Sequence, residues 1–162
     1  MNLRKKICVW LFDVTKLPYA KYFKKNEAWN ISTNDLLEFP KDSLGRELGK
    51  FLDGNQFSLI PKLEKHDAYH VITEFGTSVE QEIALQYFFW GNGKKSIYMY
   101  AVISVGFLLV PEYYQLYFKS YNKGKNTNPV YNLNIKKLLT QPLNSIKNQI
   151  GLNKTNLKPV LS

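Results

Sequence analysis

With 162 residues, 44% of them hydrophobic and 15% aromatic, the chain can bury a core of its own, which excludes an intrinsically disordered protein. A net charge of +9 favours an anionic partner. The basic residues fall in scattered groups, however, with no zinc finger, aromatic RNA-binding motif or unbroken basic run, so no nucleic acid is expected as partner. Cys8 is the only cysteine, which rules out an intrachain disulfide and fits a reducing compartment such as the cytoplasm.

The elements read as helices throughout, giving an all-α, single-domain bundle of about six to eight helices over residues 1–162. Leu3, Ile7, Trp10, Leu11, Val14 and Leu17 recur at helical spacing until Pro18, so residues 3–17 read as a basic amphipathic helix. Its apolar stretch 7–12 is too short for a secretory signal core, and Asp13 interrupts it. The helix either packs on the core or lies on an anionic membrane surface through Trp10, Arg4, Lys5 and Lys6. A second helix is expected over 43–53, capped by Asp42 or Ser43 and stopped by Gly54. Pro61 opens a third, which runs to about Glu74 and is broken by Gly76.

Thr77 or Ser78 caps the next helix, with Glu80 and Gln81 as capping-box partners, and Gly91 ends it. Residues 98–110 and 112–121 read as two more helices separated by Pro111. The first is apolar on nearly every face, and thirteen residues are too few for a bilayer span of about 20, so a core helix is expected. With Phe88, Phe89 and Trp90 it offers more apolar surface than a small domain readily buries, which points to a second subunit or a channel for a prenyl chain. Residues 123–129 form a polar loop, Pro142 opens a last helix that Gly151 closes, and 153–162 is a tail.

The two histidines of the chain, His66 and His70, stand four residues apart and so share one face of the third helix. Asp67 borders that face. On the following helix Glu82 falls in an apolar stripe with Val79, Leu85 and Phe89, while Glu80 points the other way, toward water. A carboxylate in such a stripe is costly without a charged or metal partner. At ~1.5 Å per residue, His70 lies about 9 Å before the turn at Gly76 and Glu82 about 8 Å after it. Folding the two helices back on each other brings them level, with His66 and Asp67 one turn away. Two imidazoles and two carboxylates suit a divalent metal: zinc first, then iron, manganese or magnesium. The alternative is a pair of core histidines held by Asp67 and Glu82 without metal.

Two familiar metal motifs do not fit. The zinc-protease pattern needs a glutamate where Asp67 stands, and the HD-type phosphohydrolases need a further upstream histidine. The pattern His66-Asp67-Ala68-Tyr69-His70, eleven residues, Glu82 resembles instead the ubiquinone (coenzyme Q) biosynthesis protein family conventionally numbered four. The whole stretch HVITEFGTSVEQEIALQYF, residues 70–88, is similar to that family's segment. Ser43-Leu44-Gly45-Arg46 with Phe51-Leu52 resembles an upstream helix, and 138–152 a closing one, so the likeness covers about 40–152.

The resemblance implies an all-helical protein, often dimeric, that sits peripherally on the inner membrane face beside other quinone-biosynthesis proteins. It implies metal-dependent removal of the C1 carboxyl, with hydroxylation, from a polyprenylated hydroxybenzoate. His66, Asp67, His70 and Glu82 would be the metal ligands. The implied partner is a polyprenylated phenol or quinone precursor; no organic cofactor and no catalytic residue beyond the ligands is indicated. Tyr69 and Thr73 could orient substrate but suit ordinary packing better. Two other readings remain: a non-catalytic prenyl-lipid-binding scaffold whose metal only braces two helices, and a metal-dependent hydrolase outside quinone metabolism.

Overall fold

Helix formation along this chain follows from its caps and apolar spacing, and the computed structural model describes residues 3–23 and 27–155. In chain order the helices are α1 Leu3–Phe23, α2 Thr33–Leu37, α3 Leu44–Gly54, α4 Glu64–Thr73, α5 Val79–Gly91, α6 Ile97–Leu109, α7 Tyr114–Lys125, α8 Leu143–Gln149 and α9 Leu152–Thr155. Short 3-10 turns precede α7 and follow residue 134. Among the described residues the only β-type pairing is an isolated bridge between Ser43 and Pro142, so the all-α expectation holds. No single described helix is long and apolar enough to cross a membrane. The chain gathers into two compact units interleaved in sequence, one from residues 15–74 and 134–148, the other from 1–14, 75–133 and 149–162.

In the first of these units α3 is the central packing element. It turns Leu44, Leu48 and Leu52 inward, and their side chains are fully buried. Gly49 lies so close to the backbone of Leu36 and Leu37 that any larger residue would push α2 away. The free N–H groups at the start of α3 find partners outside the helix: Ser43 Oγ accepts from Arg46, and the carbonyls of Gln141 and Leu139 accept from Leu44 and Gly45 at 2.9 and 2.8 Å. The helix α2 had no place in the sequence reading, although Ser32 and Asp35 supply its full capping box.

Pro61 does not begin α4. Residues 61–63 form a turn, and the helix starts at Glu64. It ends at Thr73 with Glu74 as its C-cap, close to the expected end, and Glu74 itself is left-handed at φ 64°, a conformation unusual for a residue bearing a side chain. The Glu74 carboxylate is held there by the largely buried Lys147 ammonium, 2.5 Å away.

In the other unit α5 is buried almost all round, from Ile83 to Phe89. It meets α7 at two glycines. A methyl group on Gly91 would overlap the Tyr121 carbonyl, and one on Gly124 would overlap the Phe88 carbonyl. This close approach explains why α7 runs on through Gly124 to Lys125, where a loop from Lys123 had been expected. Behind the glycines the buried Asn92 side chain donates to the carbonyls of Gly124, Thr127 and Asn128 and accepts from the Val130 N–H at 2.7 Å. One side chain thus fixes the exit from α7.

Three further expectations change. The first helix continues past Pro18 to Phe23, because a proline removes only its own N–H while later residues keep their bonds. Residues 153–155 of the expected tail are helical, and 156–162 lie outside the described residues. The helix α6 is only half a core helix: Met99, Val102, Ile103 and Gly106 are buried, while Ile97, Tyr100, Phe107 and Leu108 are exposed.

Candidate metal centre

The site begins with the 3.6-residue period of α4. Buried Glu64, Ala68 and Ile72 share one stripe of this helix, and His66 and His70 lie along another. The two imidazole rings meet edge to face with centroids 4.8 Å apart. His70 is buried at 3% exposure, and Phe51 of α3 stacks parallel on it at 5.8 Å, fixing the plane of the ring. His66 is the more open of the two, its side chain about one-third exposed. Glu82 is half-buried in the first turn of α5 and, with His66 and His70, supplies the donor types a divalent metal takes.

Asp67 stands beside the triad, its Oδ1 3.7 Å from His66 Nδ1. That distance exceeds a hydrogen bond, so the contact is electrostatic. Tyr69 and Thr73 are packing residues: Thr73 Oγ1 donates to the Tyr69 carbonyl at 2.6 Å within the helix, and burial pushes the Tyr69 phenol pKa up, so it stays protonated.

Glu80 departs from its expected solvent position. It is half-buried and forms an ion pair at 2.8 Å with Lys5, whose ammonium also donates to the Tyr113 hydroxyl. Burial alone would push the Glu80 carboxyl up, but the Lys5 hydrogen bond, with the N–H of Glu80 itself and Ser78, holds it below its ordinary value. Sequence reasoning also missed Glu64. Its Oε1 accepts the Trp29 N–H at 2.8 Å, while Oε2 is buried without a hydrogen-bond partner. The signal was present, since Glu64 falls in line with Ala68 and Ile72 on the buried stripe.

Two imidazoles and a carboxylate, one imidazole buried and held by an aromatic stack, fit a divalent cation of the zinc or iron type. The profile of the family described as Coenzyme Q (ubiquinone) biosynthesis protein Coq4 matches residues 59–156, a span that contains all of these ligands. No curated protein matches the chain closely enough to count as a relative. In fold the chain is similar to the crystal structure of a Nostoc punctiforme protein provisionally assigned to ubiquinone biosynthesis, with a TM-score of 0.65. The two share 20% identity, over 94% of this chain and 83% of that one, which speaks for the fold alone.

Proposed function

The chain belongs to the coenzyme Q (ubiquinone) biosynthesis protein Coq4 family, and on that premise we propose that it removes the C1 carboxyl, with hydroxylation, from a polyprenylated hydroxybenzoate in a metal-dependent reaction. The observation that supports this reading is the donor set His66, His70 and Glu82 within the stretch that matches the family. These three would hold the ion, with Asp67 proposed as the fourth ligand. A divalent cation bound there withdraws electron density from a phenol or carboxylate oxygen and lowers the phenol's pKa.

The chain's own residues do the positioning. Phe51 keeps the His70 ring in one plane, and Asp67 acts on His66 from its Nδ1 side. Buried Tyr69 keeps its proton at neutral pH and supplies bulk rather than acid–base chemistry. The exposed side of His66 leaves the aromatic ring of a substrate a way in. In the reaction the carboxyl carbon leaves as carbon dioxide and its bonding pair stays on the ring. For that carbon to gain a hydroxyl, dioxygen takes up the electron pair and leaves as hydrogen peroxide, while water supplies the hydroxyl oxygen.

The test is turnover of a prenylated 4-hydroxybenzoate by the metal-loaded protein, read as loss of carbon dioxide by mass spectrometry. Wild type should convert it, and Glu82→Gln should lose at least about a hundredfold in rate, since a ligand to the reacting centre is removed. Prenyl-phenol binding without any turnover under dioxygen would favour the non-catalytic lipid scaffold instead.

A further inference from the structure

In α6 the exposed residues are apolar and fall at helical spacing: Ile97, Tyr100, Ala101, Phe107 and Leu108, with Ser104 between them. Ile97 is 90% exposed and Leu108 76%. The opposite stripe, Met99, Val102, Ile103 and Gly106, already packs in the core, with Gly106 set against Ile83. The exposed stripe is therefore a second apolar face that the fold of this chain leaves unused.

Charge says what covers it. Residues 91–133 carry Lys94, Lys95, Lys119, Lys123 and Lys125 against a single acidic residue, Glu112, and Glu112 is bridged by Arg4 at 3.3 Å. Half-exposed Trp90 meets Tyr100 and Tyr121 with centroids 6.4 and 4.9 Å apart, close to the lysine pair that precedes α6. Aliphatic and phenylalanine side chains flanked by Trp, Tyr and Lys are the composition of a helix at a bilayer interface. A second copy fits less well. Thirteen residues make a strip about 20 Å long and about 10 Å wide, roughly a quarter of the ~800 Å² per partner that stable dimers bury. Two copies would also bring like charges together.

We propose that α6 docks flat on an anionic lipid surface, with Ile97, Phe107 and Leu108 entering the acyl region and the exposed Lys95 at the headgroups, while Lys94 is held over the Phe89 ring. This differs from the amphipathic reading of α1. There Arg4 and Lys5 are engaged by Glu112 and Glu80, although Leu3, Ile7, Trp10 and Val14 also form an exposed stripe. The inference does not depend on the metal centre or on the reaction proposed for it.

The experiment is flotation of the full chain with vesicles of neutral phosphatidylcholine and with vesicles in which a third of the lipid is phosphatidylglycerol. Wild type should float with the anionic vesicles and release as salt rises. Phe107→Asp plus Leu108→Asp should weaken binding at least about tenfold, and Lys95→Glu about fivefold, with helicity and metal content unchanged in both. Both apolar positions are on the surface, so the double variant should fold. Binding unaltered in the folded double variant overturns the proposal. So does equal binding to both vesicle types, or a concentration-dependent dimer that the double variant abolishes while vesicle binding persists.

Discussion

The helices α4 and α6 each invert the usual rule of polar outside and apolar inside, in opposite directions. In α4, Glu64 and His70 are buried. In α6, Ile97 and Leu108 are in the open, although the helix carries no charged residue that would require exposure. Buried polar groups cost free energy unless they are partnered, and exposed apolar stripes cost solubility. A small helical domain could be stable without either. The two departures are the ones that the proposed cation at α4 and the proposed lipid surface at α6 would account for.

The largest effect that can sharpen this comparison lies within α6 itself. Met99 is fully buried and Ile97 almost fully exposed, two positions apart on opposite faces. Met99→Asp should cost about 4 kcal/mol or more, enough to unfold a marginal domain, whereas Ile97→Asp should stay within about 0.5 kcal/mol. Chemical denaturation of both variants decides it. Comparable losses at the two positions would mean that the exposed stripe is covered by the chain after all.

A smaller effect is expected at the start of α4. Glu64→Ala leaves the Trp29 N–H without its acceptor and should cost about 1–3 kcal/mol. Glu64→Gln keeps an acceptor and should recover most of that loss in the same denaturation experiment. If glutamine is as damaging as alanine, the carboxylate charge itself is needed, and the unpaired Oε2 becomes the place to look for a bound donor.

Much of this molecule was legible in its sequence, for identifiable reasons. The spacing of His66 and His70 fixes a shared helix face, which follows from 3.6 residues per turn alone. Ser43 was readable as a cap because its side chain can take up a free N–H at the start of a helix; Ser78 also stands at the N-cap of α5, but its side chain accepts no N–H there and the expected capping box with Glu80 or Gln81 is not formed. What escaped depends on contacts distant in sequence. Gly124 reads as a helix breaker until Phe88 is seen packed against it. Glu80 reads as a solvent-facing charge until Lys5 arrives from 75 residues away. Exposure of one α6 face could not be read at all, since periodicity is silent on a helix apolar all round.

Metal content tests the central claim most directly. Purified wild-type protein, exchanged into metal-free buffer after loading, should retain about one divalent ion per chain by elemental analysis. His70→Ala, shown to be folded by its helicity, should retain almost none, because losing one donor of so small a set weakens binding steeply. Equal, substoichiometric metal in wild type and His70→Ala would contradict the account. It would return His66, His70 and Glu82 to the role of polar packing.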